Sequence, residues 1–193
     1  MSLIHTIEST DTTVICTTRC GHSSMLGYFG ITQRYQHTGG PFVPETINSI
    51  TTSQVILCIR NPYDRLNSAM ENTQQRTWAR DRLVSHEDLS KGLDIFSLMD
   101  IGWTESHSTP YLHNLTATNI THLLDFDNLK QYIPMSSNTF VSSVPRGASQ
   151  YENWMSAYYT KEVLESEYSA YNQLVDTIPQ VSVEDWNKYT DVR

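Results

Sequence analysis

The amino-acid sequence predicts an α/β fold in which helices cover a mainly parallel β-sheet. Short β-branched or apolar segments at residues 12–17, 54–59 and 121–126 are predicted strands, and each is followed by a polar turn and then a helical pattern. Residues 54–59, QVILCI, are apolar on both faces, as is typical of parallel strands covered by helices. The repeated order of strand, loop and helix indicates a layered α/β domain with a largely parallel sheet.

Length and composition predict one globular domain. The chain has 193 residues, which we assign to a single domain spanning residues 1–193. Hydrophobic residues make up 38% of the chain and charged residues 18%, and the 11 Tyr and 4 Trp supply large apolar area for a core.

The net charge of −8, from 13 basic and 21 acidic residues, argues against a nucleic-acid partner. Neutralisation of phosphates supplies much of the affinity for nucleic acid and requires a basic surplus. A small anionic ligand is compatible with this charge, because it needs only a local cluster of arginines and backbone amides.

The three cysteines, Cys16, Cys20 and Cys58, are predicted to be reduced thiols. An odd count without a CxxC motif or a spaced His/Cys quartet favours neither disulfides nor a zinc site, so no metal is expected. Cys16 and Cys58 fall in predicted buried strands. Cys20 falls in a loop, where a reactive thiol would need specific activation.

Two absences favour a cytoplasmic protein without a membrane partner. Residues 1–13 lack a basic segment followed by an apolar one, so they do not predict a signal peptide. The sequence also lacks an apolar run of about 18 residues, the length that a transmembrane helix needs.

Capping residues predict where the first helices begin. Ser23 or Ser24 is predicted to cap a helix after the first strand. Asn61 is a good N-cap and Pro62 fits the first position of a second helix, which is predicted to run toward Trp78.

The second half of the chain predicts further helices. Ser85 is predicted to cap one helix, a polar loop spans residues 102–119, and another helix runs from Asn128 until Pro134 ends it. Thr160 is predicted to cap the final helix. The apolar positions of that final helix are Leu164, Tyr168, Tyr171 and Val175.

Two polar segments follow predicted parallel strands and point to an anion site. RCGHSS, residues 19–24, and RNPYDR, residues 60–65, fall at the carboxyl edge of the sheet, where α/β proteins bind ligands. Unpaired N–H groups at helix starts favour anions there, and Arg19 and Arg60 each add a cation. Two phosphate sites on one ligand are therefore predicted, whereas each segment taken singly is equally explained as a helix start.

Neither segment matches the common nucleotide motifs. GxxxxGK[ST] is absent, which disfavours ordinary ATP or GTP hydrolysis, and GxGxxG is absent, which disfavours a dinucleotide site.

TTRCGHSSM and LCIRNPYDRLNSAM resemble the two cofactor signatures of the PAPS-dependent sulfotransferases, especially their carbohydrate branch. The resemblance implies a P-loop-NTPase-like three-layer sandwich with a mainly parallel central sheet flanked by helices. It also implies 3′-phosphoadenosine 5′-phosphosulfate (PAPS) as sulfuryl donor and PAP as product, with no metal. HLLDFDNL, residues 122–129, is similar to the strand and acidic turn that the family places after the cofactor helix.

The resemblance carries specific residues over to this chain. Arg60 and Ser68 fall on the 3′-phosphate ligands, and Arg65 is a structural or ion-pairing residue. Arg146 and Gly147 match a late loop that closes over the nucleotide, although a plain surface turn explains them equally. The predicted 5′-phosphosulfate contacts are Arg19, Cys20, Gly21, His22, Ser23, Ser24 and Met25.

The implied reaction transfers a sulfuryl group to an acceptor hydroxyl or amine. Arg19 would stabilise charge on the leaving phosphate, as cations do in phosphoryl transfer. A base must take the acceptor proton, and Glu45 or His37 fills this role in the resemblance, Glu45 being favoured slightly. The predicted acceptor contacts are Glu105, His107 and Tyr111.

Two departures from the family leave other functions open. Arg19 stands where much of the carbohydrate branch has Lys, and the chain is short for the family. The acceptor is expected to be a carbohydrate or small molecule. The alternatives are a P-loop kinase-like phosphotransferase and a non-catalytic module that binds nucleotide or a partner protein.

Overall fold

The computed structural model describes residues 2–17, 19–31, 47–65, 68, 111–115, 119–133 and 161–191. These residues include four strands: β1 (Ser2–Ile7), β2 (Thr12–Thr17), β3 (Gln54–Ile59) and β4 (His122–Asp125). The longer helices are α1 (His22–Tyr28), α2 (Lys161–Thr177) and α3 (Val183–Thr190). The 3₁₀ helices of the described ranges are η1 (Glu8–Thr10), η2 (Leu112–Asn114) and η3 (Phe126–Gln131).

The strands form one four-stranded sheet in the order β1-β2-β3-β4. β2, β3 and β4 are parallel to one another, and β1 is antiparallel to β2. The prediction of an α/β fold with a mostly parallel sheet is confirmed. The bounds of β2 and β3 agree with the predicted ones, and β4 is one residue shorter at each end than residues 121–126.

The N-terminal strand β1 was not predicted. It is joined to β2 through η1, a connection without Gly or Pro, and the left-handed residue is Asp11 with φ of 50°. Asp tolerates this conformation better than most residues, but it marks a turn less clearly than glycine does. The Thr6 and Thr13 hydroxyls then lie 3.1 Å apart across the hairpin.

Both faces of the sheet are buried. Successive side chains of a strand point in opposite directions, so each central strand contributes to two separate clusters. On one face Cys16 and Cys58 pack with Trp186 of α3. On the other face Ile15 and Leu57 pack with residues of η2 and α2. Helices therefore contribute to the core on both sides of the described sheet.

The predicted cap of α1 is wrong. Gly21 occupies the N-cap with φ of 88°, without a side-chain cap, and Ser23 and Ser24 lie inside the first turn. The left-handed glycine turns the chain two residues earlier than a serine cap would. The start of the 62–65 helical segment follows the prediction, since the Tyr63 N–H donates to Asn61 Oδ1 at 3.0 Å.

The C-terminal helices also differ from the prediction. α2 is not the final helix, because α3 follows it with Ser182 as N-cap. Tyr168 and Val175 are 37% and 38% exposed, whereas Glu167 is fully buried. The buried stripe thus contains an acidic residue, which hydropathy places on the solvent side. In place of the helix predicted from Asn128, η3 begins at Phe126.

In the part of the chain that the structure describes, no helix combines the length and apolar character needed to cross a membrane. The assignment of residues 1–193 to one domain extends over residues outside the described ones and stays a prediction.

Candidate anion-binding site

The carboxyl ends of β2, β3 and β4 lie at one edge of the sheet. Cys16 pairs with Cys58 and Ile59 pairs with Asp125, so the parallel strands end nearly level. This edge brings residues 19–24 next to Arg60 and Phe126, which directly follow β3 and β4. The sheet therefore unites the two polar segments that the sequence singled out.

The 19–24 segment turns sharply from strand to helix. Arg19 and Gly21 both have positive φ, of 65° and 88°. The Cys20 N–H donates to the Thr17 carbonyl at 3.2 Å and closes the turn. The Met25 N–H donates to the Gly21 carbonyl at 2.9 Å and begins α1. A left-handed arginine is a strained conformation, and such strain costs on the order of 1 kcal/mol or more and clusters at functional sites.

Gly21 is required by its neighbours as well as by its φ. A Cβ at this position would lie 2.6 Å from Leu129 Cδ2 and 3.3 Å from Phe126 Cδ2. The close approach that demands a glycine is therefore made by η3. The structure adds this packing role to the tight turn expected from the sequence.

Arg60 physically links the two segments. Its Nη1 donates to the Arg19 carbonyl at 3.2 Å, and its Cζ lies 4.3 Å from the centre of the Phe126 ring. Only 5% of Arg60 is exposed. A buried guanidinium at the end of β3 thus holds the backbone of the first segment while stacking on the residue that follows β4.

Arg65 and Tyr111 form a second buried pair beneath the first segment. The Arg65 Cζ lies 4.8 Å from the Tyr111 ring centre, and both residues are 3% exposed. The Tyr111 hydroxyl lies 3.7 Å from the Cys20 thiol. This position agrees with the structural role expected for Arg65, whereas acceptor contact by Tyr111 stays a prediction.

The Cys20 thiol is fully buried. Burial raises its pKa, and the positive charges of Arg65 and Arg60 only partly offset this effect. Burial also raises the pKa of the Tyr111 hydroxyl well above its usual value. Both groups are therefore held neutral, which disfavours Cys20 as a nucleophile.

The remaining described residues of the predicted site lie at the start of α1 and beyond Pro62. His22 and Ser24 are half-buried, Ser23 is exposed and Met25 is buried in the core. Ser68 is helical and half-buried. Met25 therefore anchors the start of α1, while Ser23 is the exposed serine of this turn.

Several predicted site residues lie outside the described part of the chain, and their roles stay predictions. They are His37, Glu45, Glu105, His107, Arg146 and Gly147.

Sequence reasoning missed Phe126 and the residues that fix it. Asp125 caps η3 by accepting from the Asp127 N–H at 3.0 Å, and it accepts from the Tyr171 hydroxyl at 2.9 Å. Burial, followed by the charge of Asp125, raises the pKa of Tyr171. The available signal was an aromatic residue at the C-terminal end of the predicted strand 121–126.

A buried acidic contact was missed as well. Glu167 Oε1 accepts from the His113 backbone N–H at 2.8 Å and lies 2.5 Å from His113 Nδ1. These residues are 54 positions apart, and their pairing depends on how α2 packs against η2.

Metal-binding clusters are absent from the described residues: no three His, Cys, Asp or Glu side chains there are grouped to hold an ion. All three cysteines are free thiols.

Comparison of the chain with models of known protein families, with curated proteins and with solved structures gave no significant match.

Proposed function

We propose that the chain is a PAPS-dependent sulfotransferase with a P-loop-NTPase-like three-layer sandwich. The observation that supports this most is the contact of Arg60 Nη1 with the Arg19 carbonyl at 3.2 Å. It brings together, at the ligand-binding edge of a mainly parallel sheet, the two segments that resemble the family's cofactor signatures.

The 19–24 segment is proposed to bind the 5′-phosphosulfate. Backbone N–H groups at the start of α1 and the Ser23 and Ser24 hydroxyls are suitable donors for an anion. The guanidinium of Arg19 would stabilise the charge that develops on the leaving phosphate.

The 3′-phosphate is proposed to bind at Arg60 and Ser68. A guanidinium presents its donors as a rigid planar fork, which matches phosphate oxygens. Arg60 follows β3 at the same edge as Arg19, so one nucleotide would contact both segments. Nucleotides without a 3′-phosphate would lose the Arg60 contact.

The proposed reaction moves the sulfuryl group in line from donor to acceptor. A bond forms between the acceptor oxygen or nitrogen and sulfur while the bond from sulfur to the bridging oxygen breaks, and that electron pair leaves with PAP. The acceptor proton passes to Glu45 or His37. A carbohydrate or small metabolite remains the proposed acceptor, and the cytoplasm, where free thiols such as these persist, the proposed compartment.

Thermal unfolding with added nucleotide separates this proposal from its alternatives. A ligand at 100 times its Kd stabilises the native state by about 2.7 kcal/mol. We expect PAP to raise the Tm and ATP with Mg²⁺ to leave it unchanged. A preference for ATP with Mg²⁺ would favour a kinase-like enzyme, and no response to either would favour a partner-binding module.

Transfer of radiolabelled sulfate from PAPS across a panel of carbohydrate and small-molecule acceptors tests the reaction itself. Glu45→Gln should lower turnover while PAP binding is retained, because it removes a base without touching the nucleotide. Full turnover in Glu45→Gln together with loss in His37→Ala would assign the base to His37.

A further inference from the structure

We propose that Phe126 is a positioning residue that orients the Arg60 guanidinium for a 3′-phosphate. This inference rests on the proposed function, because it assigns a 3′-phosphate to Arg60. It concerns a residue that acts through Arg60 without contacting the nucleotide.

The Arg60 guanidinium lies over the face of the Phe126 ring. The Arg60 Cζ lies 4.3 Å from the centre of the Phe126 ring, within the range of a cation–π contact. The same guanidinium donates to the Arg19 carbonyl. A stacked face and a hydrogen-bonded edge together fix the plane of the guanidinium, and its orientation decides whether a phosphate meets two N–H groups or one.

Phe126 is itself held firmly enough to act as a support. It begins η3, whose start is capped by Asp125, and Asp125 is bound in turn by the Tyr171 hydroxyl of α2. Its ring edge also meets Gly21, where a Cβ would lie only 3.3 Å from Phe126 Cδ2. The ring is therefore confined between Gly21 and Arg60.

Fixing an arginine before the ligand arrives improves binding. A free arginine side chain loses rotamer entropy when it closes on a phosphate, and a pre-oriented one has already lost it. The stacked ring should consequently affect the recognition of the 3′-phosphate more strongly than the contacts to the 5′ end, which it meets only at Gly21.

Adenosine 5′-monophosphate (AMP) is the matched ligand, because it lacks only the 3′-phosphate of PAP. Isothermal titration of the full chain with PAP and with AMP gives the ratio of their affinities, which reports the 3′-phosphate contact. The variants are Phe126→Leu, which removes the ring, and Phe126→Tyr, which keeps it.

We expect Phe126→Leu to lower the ratio of PAP to AMP affinity about tenfold, the order of a partly buried cation–π contact. AMP affinity should fall much less than PAP affinity, and Phe126→Tyr should restore the ratio. In an Arg60→Lys background, Phe126→Leu should have no further effect, because an ammonium group presents no plane to orient.

An unchanged ratio in Phe126→Leu would overturn the inference, as would an equal loss of PAP and AMP affinity, which indicates a structural role only. If Phe126→Leu does not fold, Phe126→Met removes the ring while filling the gap beside Leu129, and the same criteria apply. A wild-type chain that does not prefer PAP to AMP overturns the proposed 3′-phosphate role of Arg60 and this inference with it. If the wild-type chain prefers PAP to AMP and Phe126→Leu shows the same affinity ratio, only the role of Phe126 is overturned.

Discussion

At the candidate site, Gly21 is constrained both by its backbone conformation and by its packing against η3. Its φ of 88° is unfavourable for residues that carry a side chain, and η3 leaves no space for a Cβ. Gly30 has φ of 65° but nothing within 4 Å of its Cβ position. The two glycines therefore allow backbone strain and steric contact to be separated.

Gly21→Ala should lower the free energy of unfolding by more than Gly30→Ala does. Forcing a residue with a side chain into a strained φ costs about 1–3 kcal/mol, and Gly21→Ala must in addition displace Leu129. Urea denaturation measures both variants, with Gly27→Ala in α1 as a control that should be neutral or stabilising. An equal decrease in the free energy of unfolding for Gly21→Ala and Gly30→Ala would show that Leu129 moves aside without destabilising the protein.

Glu167 is the buried acid of α2, and its carboxylate satisfies the His113 backbone N–H. Glu167→Ala should cost about 1–3 kcal/mol, because it leaves that donor unsatisfied. Glu165→Ala, on the exposed side of α2, should stay within about 0.5 kcal/mol of the wild type. Urea denaturation compares them, and a similar effect of both would show that water replaces the carboxylate.

At the scale of elements, the sequence predicted those whose signal is local. QVILCI is apolar on both faces, so β3 was predicted with its bounds, and Asn61 with Pro62 predicted the start of a helix. The serine cap of α1 was wrong because a left-handed glycine N-cap is less common than a serine cap. The stripe predicted for α2 is confirmed at Leu164, which is buried, and is wrong at Tyr168 and Val175. The burial of Glu167 was missed because it depends on His113, a distant residue.

The cap of α3 gives a prediction at this scale. Ser182 Oγ accepts from the Asp185 N–H at 3.0 Å, and the helix that it begins buries Trp186. Ser182→Ala should destabilise the protein by about 1 kcal/mol. Ser169→Ala, the same change at an exposed position inside α2, should be neutral or slightly stabilising because alanine favours helix interiors.

Thermal unfolding checks the sign of each change. Ser182→Thr should retain most of the stability, since threonine also caps. Equal Tm values for Ser182→Ala and the wild type would mean that the tertiary contacts of Trp186 hold the helix start without a cap.

At the scale of the whole molecule, the candidate site depends on strand adjacency. Residues 19–24 and Arg60 are more than 30 positions apart, and they meet because β2 and β3 are parallel neighbours with level ends. The hydrogen bond from Arg60 to the Arg19 carbonyl then joins the two segments directly.

Removal of that bond should loosen the first segment even without ligand. In Arg60→Ala, hydrogen exchange at amides 20–24 should accelerate, because the Arg19 carbonyl loses its partner and the turn loses a brace. Lys130→Ala, at an exposed position of η3, is the matched control and should leave these amides unchanged. Equal exchange rates of these amides in Arg60→Ala and Lys130→Ala would mean that Arg60 does not stabilise the first segment.

Local sequence patterns were enough to predict the central strands, the polar segments that follow them and the burial of Cys16 and Cys58, because these features depend on neighbouring residues in the chain. The sequence did not reveal that β1 joins the sheet, that η3 packs against Gly21, or that the Phe126 ring lies against Arg60. These are contacts between segments distant in sequence, and hydropathy or capping patterns do not record which surface a residue will meet.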